Sequence, residues 1–467
     1  MKQLFLGFLV LFCGLTNAQD STSVLTLPEY LGYVKSFHPI VKQANLVINE
    51  SEAKLMKARG AFDPKLEVDF DRKKFKGTEY YDRLNASFKI PTWFGIELKG
   101  NFEENTGDFL NTEEFLPEDG LYSAGVSVPV ARGLLTNNRM ALLRQSRLYI
   151  KQAQADRQLL VNNILYNATV TYFNWLRTYN EKRVYEDFLD NAEMRFNGIK
   201  KSYEVGDRPA IDTLEARIAL NNRKLNLEKA RVKFVKSSLE LSNYLWLSDN
   251  TPIEIEDNVV PDIETFTNID VTLNTSGLNI ESFNIEEHPK LQSLDFKYQS
   301  LNIEKRLKLN NLLPQIDLQY NFLSQTPEVA RSFSTSAYKS GVNVSFPLFL
   351  RKERGDLRLA KIKLQDTKFE IANTRVSLKN KINAINQELE SYIVQNDFTD
   401  TIVNDYAVML STEERKFFLG ESSLFLVNSR ESKLIDAKLK AIEIENDFLK
   451  TKANLFNVLA IQQVDPN

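Results

Sequence analysis

Two stretches of this chain have the composition of very long helices. From Ala131 to Arg208 there is no proline, and after Arg351 there is none until Pro466; between Leu134 and Val205 the sole glycine is Gly198. Proline and glycine are the residues that break helices, so nothing interrupts these stretches. About seventy helical residues extend about 105 Å, a length no ordinary globular domain houses. Along the first stretch Val161, Leu165, Ala168, Tyr172, Leu176 and Tyr179 recur at three-and-four spacing, as do Tyr185, Phe188, Ala192, Phe196, Ile199 and Tyr203. Each stretch leads to a glycine-containing turn and a returning helix of about forty residues with apolar positions every seven. These are Ile211, Ile218, Leu225, Val232, Leu239 and Trp246 in one case, and Val427, Leu434, Ala441, Phe448 and Leu455 in the other. A strict period of seven makes helices supercoil around their neighbours, so both stripes read as coiled-coil core and not as a cofactor site.

The same plan occurs twice. His38-Pro39 recurs as His288-Pro289, and Pro64 as Pro314, both at an offset of 250. Val128-Pro129-Val130 matches Phe346-Pro347-Leu348 at 218, and Gly206 matches Gly420 at 214. The offset falls from 250 to 218, so the first copy holds 32 more residues between its two prolines. In each copy a helix of about twenty residues follows His-Pro, Ile40 to Arg59 and then Lys290 to Asn310. A strand region comes next, then the long helix, the turn and the return. The division expected is 1–18 as a leader, 19–247 as the first repeat, 248–285 as a joining segment and 286–467 as the second repeat.

The strand regions alternate. Leu66, Val68 and Phe70 interleave with Glu67, Asp69 and Asp71, and Leu98, Gly100 and Phe102 with Glu97, Lys99, Asn101 and Glu103. In the second copy Ile316, Leu318, Tyr320 and Phe322 alternate with polar neighbours, and Val342, Val344 and Phe346 continue the pattern. Period two gives one oily face and one wet face, as in a soluble sheet edge or in a membrane barrel with lipid outside and water inside. Phe88, Trp93, Phe94, Tyr320 and Phe346 are candidates for an aromatic girdle or for core packing.

Composition removes several classes. Met1 to Ala18 reads as a secretory signal, with Lys2, an apolar run from Leu4 to Leu11 and a small residue before Gln19. A lipoprotein signal at Cys13 is the weaker reading, because bulky Phe12 precedes it. Cys13 is the only cysteine, so cleavage leaves neither disulfide nor thiolate metal site. His38 and His288 are the only histidines, both before prolines, where they read as structural. With no phosphate-cradling glycine loop either, an enzyme is not expected, nor are a metal or cofactor. A net charge of −3 gives no basic face for nucleic acid. Beyond the leader no run of about 18 apolar residues exists, so any membrane crossing must use strands.

Leader, two repeats, and the order helix, strands, long helix, glycine turn and helix together resemble the TolC family of outer-membrane ducts over essentially the whole mature chain. The sharpest local match is Tyr203-Glu204-Val205-Gly206-Asp207-Arg208 with Asp212 and Glu215 following, which is similar to the family's tip segment. The second copy, Phe417-Phe418-Leu419-Gly420, keeps the aromatic and the glycine without the arginine and the acids. In the best-known member the full motif falls in the second repeat; here it falls in the first.

The resemblance implies a mainly α chain with a β-barrel portion. Long coiled-coil helices would form an α-barrel across the periplasm. Four strands per subunit, or more if the longer first copy holds a second hairpin, would contribute to a shared trimeric transmembrane barrel. The function implied is a passive exit duct of a tripartite efflux or type I secretion system, with outer-membrane lipid, a periplasmic adaptor and an inner-membrane pump as partners. The turns at Gly206 and Gly420 would meet the adaptor. Tyr203, Arg208, Asp212 and Glu215 would form a pore-entrance gate, the two acids sharing one helix face because they are three apart. The segment Ser248 to Ile285 would be a belt midway down the helices, or a plain linker. The alternative function is a structural periplasmic coiled-coil protein without a pore.

Overall fold

His38 and His288 start the two halves of the chain in the same way. Each ring accepts, at Nδ1, the backbone N–H two residues on, Ile40 at 3.2 Å and Lys290 at 3.1 Å. Pro39 and Pro289 follow at the first helical position, where a missing N–H leaves nothing unsatisfied. The computed structural model describes residues 23–273, 283–327 and 334–460; the leader at 1–18 lies outside the described residues. The described residues begin with β1 (Ser23–Leu25) and α1 (Leu27–Phe37), and the two histidine caps begin α2 (Pro39–Arg59) and α6 (Pro289–Asn310).

Between α2 and the first long helix run β2 (Lys65–Phe75), β3 (Thr78–Pro91), β4 (Glu97–Thr106) and β5 (Leu121–Pro129). After α6 come β7 (Gln315–Ser324) and β8 (Tyr338–Ser345). All six form one antiparallel sheet in the order β2-β3-β4-β5-β7-β8. The extra residues of the first copy therefore form an additional hairpin, and the count is six strands and not four. The sheet is open, with β2 and β8 at its edges.

Below it run α3 (Asn138–Glu204, 67 residues) and α7 (Arg351–Phe418, 68 residues), returning as α4 (Ala210–Ser242) and α8 (Leu424–Leu459). Each long helix spans about 100 Å. Near the sheet α3 packs between α2 and α6, with α7 beyond α6; toward the far end α3 packs between α4 and α8, with α7 beyond α8. At either level the chain is thus an arc of four helices. α4 occupies one flank of the lower arc and α7 the other.

The core sits midway, where Tyr30, Tyr172, Phe173, Trp175 and Phe456 are buried together. The joining segment is packed here and is not a plain tether. Its β6 (Val259–Pro261) pairs in parallel with β1, and its α5 (Thr265–Thr272) inserts Ile269 into the core. The Tyr172 hydroxyl donates to Leu25 O at 2.7 Å and accepts Asp262 N–H at 3.1 Å, clamping both chain segments to α3. Burial pushes that phenol up to about 12.

Candidate functional site

Residues directly opposite in antiparallel strands point to the same face, so the register sorts the sheet's chemistry. Leu66 faces Phe88, Val68 faces Ala86 and Phe70 faces Leu84. Ala86 faces Phe102, which faces Tyr122; Ala124 faces Phe322, which faces Tyr338; Val128 faces Leu318, which faces Val342. One face is therefore apolar across all six strands. The opposite face carries Glu67 against Ser87, Asp69 against Asn85, Asn101 against Ser123, Ser127 against Gln319 and Asp317 against Asn343. Its charges pair locally, Lys89 with Glu67 and Arg83 with Asp71. A sheet with one oily and one wet face is the pattern of a barrel wall between lipid and water.

Of the girdle candidates, Trp93 stacks on Phe62 at 5.8 Å beside the helices, and Tyr320 stacks on Tyr338 at 5.3 Å within the oily face. Phe88, Phe94 and Phe346 are exposed. No helix among the described residues is long and apolar enough to cross a membrane, and no group of three metal-ligating side chains occurs among them.

The other end of the rod holds the residues singled out at the turns. Gly206 and Gly420 close α3 and α7 at φ +85° and +81°, the left-handed backbone that glycine adopts freely. Arg208 lies 3.7 Å from Asp212 and places its guanidinium 4.5 Å from the ring centre of Phe417, so it ties the first turn to the end of α7. Glu215 accepts from Asn428 of α8 at 3.4 Å. Tyr203 is exposed. Both acids are thus engaged by partners within the chain.

Sequence reasoning missed the polar cluster two turns further in. Glu431 of α8, 1% exposed, accepts from Arg195 of α3 at 2.6 Å and lies 3.7 Å from Arg223 of α4. Arg195 also reaches Glu414 of α7 at 2.9 Å, and Arg223 donates to Ser432 at 3.1 Å. Side chains from all four helices meet in this lock. The signal was present: Leu424, Val427, Glu431 and Leu434 follow core spacing, so the acid stands where an apolar residue belongs.

No protein-family model and no curated protein matches the sequence. Solved structures do. The Campylobacter jejuni CmeC outer-membrane channel superposes with a TM-score of 0.65 at 14% identity, covering 93% of this chain and 85% of that one. The Vibrio cholerae outer-membrane protein VceC gives 0.66 at 11%, covering 93% and 96%. The Neisseria gonorrhoeae MtrE outer-membrane channel gives 0.64 at 12%, covering 93% and 88%. With 93% of its length aligned at these TM-scores, the chain has the fold of the TolC-like outer-membrane channels.

Proposed function

We propose that this protein is a passive exit duct in the outer membrane, assembled as a homotrimer and extending into the periplasm, with no enzymatic role. The observation that carries this reading is the open six-stranded sheet, oily on one face and polar on the other, mounted on helices of about 100 Å. Unpaired strand edges in hydrocarbon cost several kcal/mol per unsatisfied group, so the sheet needs further copies to complete it. The oily face argues against a pore-free envelope rod, which would have no use for it.

In this reading the turns at Gly206 and Gly420 form the end remote from the membrane, reachable by a periplasmic adaptor that couples the duct to an inner-membrane pump. Tyr203, Arg208, Asp212 and Glu215 surround the pore entrance. Arg208 on Phe417 and the Glu431 lock hold the two hairpins together when the entrance is closed. Their separation frees Asp212 and Glu215, whose copies around the axis favour cations.

The test is mass in mild detergent followed by planar-bilayer recording. A trimer that conducts is expected, with Asp212→Asn combined with Glu215→Gln lowering its cation selectivity. A stable, non-conducting monomer recovered from the soluble periplasm sinks the duct. Unchanged selectivity removes the two acids from the entrance and leaves the duct standing.

A further inference from the structure

The sheet ends in two free edges, and those edges match each other. Every residue of β2 and of β8 is exposed, on the oily face and on the polar face alike. β2 runs away from the helices and β8 runs back toward them, so β8 laid beside the β2 of another copy is antiparallel, like every other pair in the sheet. The oily and polar faces both continue to each edge: Val342 and Val344 lie on the oily side of β8, and Leu66 and Val68 on that side of β2.

The register also carries the stagger a barrel needs. A straight ladder runs from Leu66 through Phe88, Gly100, Ala124 and Phe322 to Tyr338. Leu66 is one residue from the helix-proximal end of its strand, at Lys65, and Tyr338 is seven from its own, at Ser345. The ladder thus climbs six residues over five inter-strand steps. At about 3.3 Å per residue and about 4.8 Å per step, that is a strand tilt of about 40°. Closed transmembrane barrels tilt by about 35–45°, so the sheet is already inclined as a section of one.

We propose that β8 of each copy pairs with β2 of the next, so that three copies close a barrel of eighteen strands, with the β2–β3 hairpin inside the wall. The inference rests on the three-copy duct proposed above. At a 40° tilt eighteen strands enclose a backbone diameter of about 36 Å, against about 24 Å for twelve. Charge narrows the register. Setting the strand ends level places Tyr338 beside the partner subunit's Arg72 and Val342 beside the partner subunit's Val68. Lys339 then faces the partner subunit's Asp71. A slip of two residues upward would set Lys339 against the partner subunit's Lys73, and like charges directly opposite destabilise a pair.

The test uses engineered cysteines, since the only native cysteine is Cys13. Facing residues in antiparallel strands have Cα atoms about 4.5–5.5 Å apart, within disulfide reach. The full chain carrying Val68→Cys with Val342→Cys is expected to run as a covalent trimer without reductant and as a monomer with it. Val68→Cys with Asn343→Cys, on opposite faces, should not cross-link. Val68→Cys with Ser340→Cys and with Val344→Cys read two-residue slips. End-on electron-microscope averages of the parent should show a ring near 36 Å. Cross-linking in any same-face pair together with the wide ring supports the closure. Native trimers that cross-link in none of the three and show a ring near 24 Å overturn it and leave the duct intact. A monomeric parent overturns both.

Discussion

The returning helices α4 and α8 carry the same seven-residue stripe and treat it in opposite ways. In α8, Val427, Leu434, Phe448 and Leu455 are all buried inside the chain. In α4, Ile211, Ile218, Leu225, Val232 and Leu239 are all exposed. α4 instead buries a second heptad seam, Ala216, Arg223, Ala230 and Ser237, two residues out of phase and so nearly opposite around the helix. Leu220 and Leu241 are buried beside that seam, and Arg223 reaches Ser432 and Glu431 of α8. The stripe residues face away from the chain. A helix with a seam on each side is built to pack on both flanks, and α4 stands at the end of its arc with only one flank occupied. α7, at the other end, exposes Val394, Phe398, Ile402 and Met409. α8 is covered on both sides within the chain, and the outer stripe of α4 is not.

The sharpest way to break this contrast is at Glu431, where the complete and incomplete hairpins are joined. Glu431→Ala leaves Arg223 buried without its counter-charge, and losing one partner of a buried pair costs about 3–5 kcal/mol. Denaturant unfolding should show that loss, with proteolysis opening both hairpins. A loss no larger than that of an exposed control such as Glu388→Ala would mean that the lock does not join them.

Next comes the stripe itself. Leu434 is 5% exposed and Leu225 is 53%. Leu434→Ala should cost about 2–5 kcal/mol of chain stability, as core truncations do. Leu225→Ala should leave the unfolding of the monomer nearly unchanged and instead lower the fraction of trimer on native mass measurement. If both variants unfold alike with trimers intact, the distinction between the two stripes fails.

Much of this molecule was legible in its sequence, and the limits have physical causes. Helices, turns and alternating strands follow from local spacing, and the observed α2 and α6 begin one residue before the expected ones, at the prolines. Periodicity identifies a face and not its partner, so the α4 stripe read as core although nothing within the chain covers it. The true α4 seam is too small and polar to register as hydrophobic. Glu431 was not singled out because only the meeting of α3, α4 and α8 supplies Arg195 and Arg223. The packed joining segment was ambiguous because β1, β6 and α5 are short, and their order comes from contact with Tyr172.

The two histidine caps are a point where the repeats behave alike, and they supply a smaller test. Burial holds both His38 and His288 below the usual imidazole value. Each must keep Nδ1 unprotonated to accept the cap N–H, which leaves His288 Nε2 to donate to Val458 O at 2.9 Å. Above about pH 6.5 folded and unfolded rings are both neutral, and this contribution is fully present. As pH falls below 6.5 the unfolded ring takes a proton that the folded one resists, so stability declines toward the folded value. The parent should lose melting temperature between pH 7.5 and 5. His38→Asn with His288→Asn, which keeps a cap acceptor without titrating, should lose less. Parallel curves would assign the whole decline to carboxylates held below their usual range, such as Glu286, which the hydrogen bond from Arg375 keeps low.

The smallest expected effect compares the two turns. A Cβ added at Gly206 or at Gly420 meets nothing within 4 Å, so each alanine variant suffers from its left-handed backbone alone. That costs about 1–2 kcal/mol, partly offset because alanine also restricts the unfolded chain. The strain is the same at both sites, and the neighbours are not. The Gly420 turn leads into α8, held on both sides from its first buried residue, Leu424, and Ser422 binds Glu413 across the turn. The Gly206 turn leads into α4, whose first turns have one packed flank and whose main tie is Arg208 on Phe417. Gly206→Ala should therefore fray α4 and speed limited proteolysis and hydrogen exchange near residues 203–215, with little change in global melting. Gly420→Ala should hold its tip more tightly and show its cost in global stability. Assembly into trimers should narrow the gap by covering the free flank of α4. Equal protease sensitivity of the two monomeric variants would show that α4 is as well supported as α8, and the contrast between the hairpins would then lie in sequence alone.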